Sequence, residues 1–157
     1  MHDIARSSRT YGVENYFLVH PTKAMRKLMD TIAEHWDQGY GATYNPNRKE
    51  ALSNVRVVPD FEDVVIQLQE KYSKWPKIIV TSAKRAENSI SFAKMKEILA
   101  NNTQDPYLIV YGTGWGLTDG FINRADYMLE PVGSVEDFKH LSVRSAAAII
   151  LDRLFGV

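Results

Sequence analysis

The sequence contains no cysteine, no excess of either charge and no long apolar run. The absence of cysteine excludes a disulfide framework, a thiolate zinc site and a cysteine nucleophile. Lys plus Arg and Asp plus Glu both total 19, so net charge does not indicate nucleic-acid binding, although a local basic patch is compatible with it. No run approaches transmembrane length, and the first residues lack the apolar core of a signal peptide. We therefore expect a soluble, cytoplasmic protein.

Apolar, strand-like runs alternate with helical segments along the chain. The predicted strands cover 15–19, 55–58, 77–82, a run that begins at 107, and 127–130. The predicted helices cover 2–11, 21–36, 60–72, 91–100 and 141–155, with Pro21 at a first helical position and Asp60 as a cap. The polar loop 37–51 ends in a short helix. This rhythm is typical of an α/β fold with a mainly parallel sheet and helices on both faces, in one domain over 1–157.

The most informative feature is a strand that ends in alternating glycines, in the segment YLIVYGTGWGL at 107–117. Glycine lets the main chain approach a ligand where side chains would collide. Open α/β sheets bind ligands at the carboxyl ends of their strands. The other strand ends carry polar or turn-forming residues, at 20–21, 81–85 and 130–134. Each alone indicates a turn, but together they indicate a ligand site.

The spacing of these glycines, G-x-G-x-G, matches neither common phosphate-binding motif. A dinucleotide fingerprint is G-x-G-x-x-G after the first strand, and a P-loop ends in GK[ST]. A site built from main-chain groups suits an uncharged adenine and ribose better than a phosphate. The four histidines, at 2, 20, 35 and 140, share no metal-binding spacing, so we predict no metal site.

Three segments resemble, in order, the motifs of the SPOUT superfamily of S-adenosylmethionine-dependent RNA methyltransferases. They are HDIARSSRTYGV, YLIVYGTGWGL and MLEPVGSVEDFKHLSVRSAAAIILDRLFG. The resemblance is strongest to the SpoU/TrmH branch, whose members methylate ribose 2′-hydroxyls. The segments TSAKRAENSISF, GTGWGL and HLSVRSAAAI resemble a bacterial SPOUT family that can occur fused to a tRNA guanine-N1 methyltransferase domain. The resemblance covers nearly the whole chain.

The resemblance implies a C-terminal trefoil knot, which is an exception to the usual absence of knots. It implies that S-adenosylmethionine binds in the knotted loops and that the protein forms a homodimer near its last helix. The cofactor-binding residues that it implies are Thr81, Ser82, Gly112, Thr113, Gly114, Gly116, Leu129, Glu130, Pro131, His140, Leu141 and Ser142.

The resemblance also implies a catalytic role for Arg6, which stands six residues before Gly12, as the key arginine of the family does. A guanidinium stays protonated in proteins, so we expect Arg6 to bind the target phosphate and stabilise the developing alkoxide rather than act as a base. The partner is RNA, with tRNA favoured over rRNA. Our candidates for RNA contacts are Arg9, Tyr44, Asn45, Arg48, Lys84 and Arg85.

The sequence departs from the family pattern at two places. The first β-strand of the family has no counterpart before the helix at 2–11, so we expect a domain without that strand. In the third motif, Ser142 replaces the usual asparagine and Arg144 a small polar residue. Three hypotheses stay open: an RNA 2′-O-methyltransferase, a non-catalytic RNA-binding or dimerisation module, and another nucleotide-binding α/β enzyme. Methylation of a base also stays open.

Overall fold

The structure is a computed structural model that describes residues 1–37, 46–133 and 141–157. Its contacts divide the chain into two compact units, Met1–Gln67 and Leu68–Val157. The described helices are α1 (His2–Thr10), α2 (Lys23–Asp37), α3 (Pro46–Leu52), α4 (Phe61–Tyr72), α5 (Phe92–Asn101), α6 (Asp119–Ile122) and α7 (Val143–Phe155). The described strands are β1 (Tyr16–Val19), β2 (Val55–Val58), β3 (Lys77–Val80), β4 (Tyr107–Val110) and β5 (Tyr127–Met128).

In the first unit, β1 and β2 form a parallel pair with Tyr16 opposite Val55. Helices α1 and α3 pack together, and α2 packs against both α3 and β2. The small core of this unit contains Ala5, Leu52 and Val55, each less than a tenth exposed. As predicted, α1 ends before Gly12, whose φ of +72° lies in the left-handed region that favours glycine.

In the second unit, three parallel strands form a sheet in the order β4-β3-β5. Helices α5 and α7 contact each other. They pack on one face of β3, because Ile79 shares its core cluster with residues of both helices, namely Phe92, Met95, Ile150 and Leu154. Ile79 and Met95 are completely buried. A strand buried in this way has a continuous run of apolar residues, and the run IIV at 78–80 makes β3 recognisable in the sequence.

The cap predicted at Asp60 is confirmed, and the structure shows serine caps at two further helices. Asp60 Oδ1 accepts a hydrogen bond from Asp63 N at 3.0 Å at the start of α4. Ser91 Oγ accepts one from Lys94 N at the start of α5, and Ser142 Oγ accepts one from Ser145 N at the start of α7, both at 3.2 Å. Each cap satisfies an amide that has no partner within its helix.

The structure confirms the predicted α/β class, because every described strand pairing is parallel. The prediction was wrong in detail at Pro21, since α2 begins at Lys23. Thr22 N donates to His20 Nδ1 at 3.1 Å, so this side chain holds a turn ahead of the helix. The strands also form two sheets, where the sequence predicted a single sheet. The trefoil knot stays a prediction, since 134–140 lies outside the described residues.

Candidate functional site

Strands β3, β4 and β5 end at one edge of their sheet, which we call the carboxyl edge. Thr81 follows β3, and its main-chain N–H and its Oγ1 both donate to Val110 O at the end of β4, at 3.2 and 3.0 Å. On the other side, Leu129 N donates to Val80 O at 3.0 Å. These bonds fasten the starts of three loops to one another. The edge therefore brings together segments that carry most of the predicted cofactor residues.

The loop after β3 returns to the same edge beside β5. Ser82 Oγ accepts a hydrogen bond from Lys84 N at 3.0 Å, which closes a turn at the start of this loop. At its end, Ile90 N donates to Met128 O at 2.8 Å, and Glu130 N donates to Ile90 O at 2.9 Å. The parallel bridge between Ile90 and Leu129 thus extends the edge beyond the end of β5.

The loop after β4 folds so tightly that its first glycine has no room for a side chain. A Cβ on Gly112 would lie 2.6 Å from the carbonyl carbon of Gly116 and 2.7 Å from Leu117 N. Gly114 and Gly116 have φ angles of +57° and +90°, which other residues rarely adopt. A Cβ on either of these two glycines would meet nothing within 4 Å. The loop therefore combines an internally close-packed start with open space beside its later glycines.

The residues present in this loop fit the adenosine part of S-adenosylmethionine. Gly116 N donates to Thr113 O at 3.0 Å, and no other main-chain hydrogen bond joins two residues of the loop in the described structure. The other amides and carbonyls of the loop make no main-chain hydrogen bond to any described residue, so they can bind a ligand or water. The segment 112–117 contains no lysine or arginine, so its own side chains offer no charge for a phosphate. Main-chain groups around open space are suited to an uncharged ring and ribose.

Tyr111 lies directly before the glycine loop and packs against the core cluster under the sheet. Its hydroxyl is buried and has no hydrogen-bond partner among the described residues. Burial raises the pKa of this hydroxyl above its ordinary value. Our sequence analysis assigned no role to Tyr111. The alternation of residues 107, 109 and 111 predicts that the ring faces inward, but it carries no signal for an unpaired hydroxyl.

Glu130 holds the beginning of α5. One carboxylate oxygen accepts a hydrogen bond from Phe92 N at 3.0 Å, and the other lies 3.7 Å from Arg85 Nη2. A carboxylate at a helix N-terminus is stabilised both by the free amide and by the helix dipole. Because the Arg85 side chain is 74% exposed, its ion pair contributes less than the amide contact. Glu130 thus has a structural role, and its predicted contact with the cofactor stays a prediction.

The remaining cofactor candidates lie on either side of 134–140. Leu129 is completely buried and Pro131 is partly buried, whereas Leu141 is 48% exposed. His140 lies outside the described residues. The Ser142 hydroxyl caps α7 and lies 2.8 Å from Ser145 Oγ. Serine and asparagine are both good helix caps, so the serine that departs from the expected family pattern still caps the start of α7.

The predicted catalytic arginine and two predicted RNA contacts lie in the first unit. Arg6 is exposed on α1, and its guanidinium has no partner among the described residues. Arg9 is paired with Glu50, with 2.6 Å between Nη2 and Oε1. Arg48 stacks over the Trp36 ring at 4.3 Å from its centroid. Tyr44 and Asn45 lie outside the described residues.

Two further RNA candidates, Lys84 and Arg85, are exposed in the loop after β3, and therefore belong to the carboxyl edge.

Across the described ranges, no three His, Asp or Glu side chains are placed so that they could hold a metal ion. No helix in the described part of the chain is both long and apolar enough to cross a membrane.

A family model described as SAM-dependent RNA methyltransferase matches residues 1–156. The chain belongs to this family. Membership confirms the predicted class of enzyme, an RNA methyltransferase, and the predicted cofactor of that class, S-adenosylmethionine.

Curated relatives support the same assignment. A tRNA (guanine-N(1)-)-methyltransferase of Nitratidesulfovibrio vulgaris is 38% identical over 156 residues, which cover 99% of this chain and 36% of the relative. A protein of the same description from Oleidesulfovibrio alaskensis is 36% identical, also over 36% of its length. An uncharacterised protein of Aquifex aeolicus is 35% identical over 76% of its length. The chain thus spans about a third of the length of the two named relatives.

Solved structures show that the fold is shared with known methylases. TrmJ from Z. mobilis superposes with a TM-score of 0.64 at 15% identity, over 98% of this chain and 61% of that chain. A probable methylase family protein from Haemophilus influenzae gives 0.63 at 21% identity, over 98% and 58%. An AdoMet-bound rRNA methyltransferase from Sinorhizobium meliloti gives 0.59 at 15% identity, over 98% and 49%. These likenesses show that the predicted α/β fold of this chain is shared with these methylases.

Proposed function

We propose that this protein methylates a ribose 2′-hydroxyl of RNA, with tRNA favoured over rRNA, and that it uses S-adenosylmethionine as the methyl donor. The observation that supports this most directly is the glycine loop at the carboxyl edge, with open space beside Gly114 and Gly116. The resemblance to the SpoU/TrmH branch supports the ribose as the target. The knot, a homodimer, fusion to a larger methyltransferase chain and a cytoplasmic location belong to the same proposal.

In this proposal, residues at the carboxyl edge bind and orient the cofactor. Main-chain groups of Gly112, Thr113, Gly114 and Gly116 hold the adenosine part, together with Thr81 and Ser82 at the end of β3. The cofactor supplies an electrophilic methyl group on a sulfonium. Because that group is already reactive, the protein contributes mainly by aligning the ribose hydroxyl in line with it and by stabilising charge.

Arg6 is the residue to which we assign charge stabilisation. A permanently protonated guanidinium binds the phosphate next to the target ribose and stabilises the hydroxyl oxygen as its proton is lost to solvent. Unlike Arg9, which is paired with Glu50, Arg6 makes no ion pair with another described residue, so its charge is available for RNA. In this scheme Arg6 positions the RNA phosphate and stabilises the charge that develops on the hydroxyl oxygen, and it does not remove a proton.

The first test is calorimetric titration of the purified chain with S-adenosylhomocysteine. We expect one binding site per chain. The protein is then incubated with labelled S-adenosylmethionine and unmodified tRNA or rRNA, and the products are digested to nucleosides. Recovery of a 2′-O-methylnucleoside supports the proposal. Recovery of a nucleoside that is methylated on its base would show that the target is a base and not a ribose. A folded chain that binds no S-adenosylhomocysteine would instead favour a non-catalytic module.

A further inference from the structure

Trp115 is a fully exposed aromatic side chain in the middle of the glycine loop, with a relative exposure of 106%. Gly114 and Gly116 on either side of it both adopt left-handed conformations. The hydrogen bond from Gly116 N to Thr113 O closes the turn that carries it. Among the described residues, the indole makes no contact with another ring and no cation–π contact. The loop thus holds a large apolar surface out in solvent.

The surroundings of this indole favour a nucleic-acid ligand. Lys84 and Arg85 are exposed in the loop after β3, and this loop leaves the sheet at the same edge, since Val80 pairs with Val110. An exposed aromatic ring at the same sheet edge as two exposed cationic side chains is a combination that binds unpaired nucleotides, because the ring stacks on a base while the cations contact phosphates. The ion pair of Arg85 with Glu130 is long, at 3.7 Å, and leaves the Arg85 side chain 74% exposed. An apolar protein partner would not explain the two exposed charges at this edge.

We propose that Trp115 is a base-stacking residue, whose indole stacks on an unpaired base of the RNA next to the target nucleotide. Lys84 and Arg85 contact the phosphates that flank this base. The inference rests on the proposed function for the presence of RNA at the carboxyl edge, and it adds the residue that recognises the substrate there. The close contact within the loop at Gly112 fixes where Trp115 is presented.

The test compares the wild-type chain with Trp115→Ala, Trp115→Phe and Trp75→Ala. Trp75 is a matched control, because it is 67% exposed but precedes β3 at the opposite edge of the same sheet. Fluorescence anisotropy with a fluorescein-labelled, unmodified tRNA transcript gives the RNA affinity at a fixed salt concentration. Calorimetry with S-adenosylhomocysteine gives the cofactor affinity of each variant, and thermal denaturation reports its stability.

We expect Trp115→Ala to weaken tRNA binding roughly 5- to 100-fold, as loss of a stacked base does in other proteins. Trp115→Phe keeps a ring and should recover most of the affinity, and Trp75→Ala should bind as the wild type does. Affinity for S-adenosylhomocysteine and the melting temperature should be unchanged in all three variants. If tRNA binding depends on Trp115 while S-adenosylhomocysteine does not bind, the inference stands and the proposed methyltransferase function fails.

Five results would overturn the inference. Equal tRNA affinity of Trp115→Ala and the wild type would remove the stacking role, and so would a wild-type chain that binds S-adenosylhomocysteine but no tRNA. Loss of S-adenosylhomocysteine binding in Trp115→Ala would mean that the indole covers the cofactor. A change in oligomeric state or a lower melting temperature in that variant would mean that the indole packs against protein.

Discussion

At the scale of single residues, Gly112 has the strictest requirement in the candidate site. Its neighbours in space are the main-chain atoms of Gly116 and Leu117, which cannot move aside as the end of a flexible side chain can. A methyl group at this position must therefore displace the loop itself. The same displacement would shift the main-chain groups that we assign to the cofactor.

We expect Gly112→Ala to lower the free energy of unfolding by about 2 kcal/mol, the usual cost of overpacking, and to weaken binding of S-adenosylhomocysteine. Urea denaturation and calorimetry measure the two effects. Gly120→Ala is the matched control, because a Cβ on Gly120 would meet nothing within 4 Å and this glycine lies in α6. Equal cofactor affinity of Gly112→Ala and the wild type would contradict the assignment of this loop.

Tyr111 supports a second prediction at this scale. Since its buried hydroxyl has no described partner, Tyr111→Phe should raise the free energy of unfolding by about 1 kcal/mol. Tyr107→Phe is the control, because Tyr107 packs against the same cluster but its hydroxyl is not among the buried unpaired atoms of the described structure. The free energy of unfolding of Tyr107→Phe should stay within about 0.5 kcal/mol of the wild-type value. Destabilisation by Tyr111→Phe would show that the hydroxyl has a partner after all.

At the scale of elements, α5 depends on a contact from a distant part of the chain. Its N-terminal amide at Phe92 is bound by Glu130, 38 residues further on. The helix begins next to the bridge between Ile90 and Leu129, so this carboxylate connects the helix to the carboxyl edge. A change at Glu130 should therefore affect both the helix and the candidate site.

We expect Glu130→Ala to lower the free energy of unfolding by about 2 kcal/mol, because it leaves the amide of Phe92 without its charged acceptor. Glu130→Gln keeps an acceptor and should cost about half as much. Glu97→Ala is the control: its ion pair with Lys94 is exposed on both sides, so its effect should stay below about 1 kcal/mol. Urea denaturation measures all three variants, and equal losses for Glu130→Ala and Glu97→Ala would contradict this role.

Most elements were predictable from the sequence because their signals are local. Asp60, Ser91 and Ser142 cap helices that begin where the sequence indicates. The separation into two sheets was not predictable, because strand pairing depends on residues far apart in the chain. The strand ends were placed two residues too late at Ser82 and Glu130. Ser82 already lies in the turn after β3, and Glu130 continues the edge only through its bond to Ile90. The role of Glu130 at α5 also required the structure.

At the scale of the whole molecule, two tyrosines make the free energy of unfolding vary with pH in the alkaline range. Burial raises the pKa of Tyr16 to about 12, and it raises that of Tyr111 as well. A raised pKa in the folded state means that the unfolded state loses its proton first. The stabilising effect is therefore complete below the ordinary tyrosine value of about 10 and is lost as pH rises through the folded value.

For Tyr16, the free energy of unfolding should fall by about 2 kcal/mol between pH 10 and pH 12. Urea denaturation across this range measures the loss, and the Tyr16→Phe variant should show a correspondingly shallower fall. If both proteins lose stability in parallel, the Tyr16 hydroxyl is not the group that titrates. Tyr111→Phe provides the same comparison in the second unit.

The order of the strands in the second unit also has a consequence for synthesis of the protein. Strand β3 pairs on one side with β4, and on the other with β5, which follows β4 in the chain. Ile78 and Asp126, which are joined across the start of this second pairing, are 48 residues apart. Pairings that close long stretches of chain form slowly. On the ribosome, β3 and β4 can therefore join first, and the candidate site gains its third loop only after β5 has been translated.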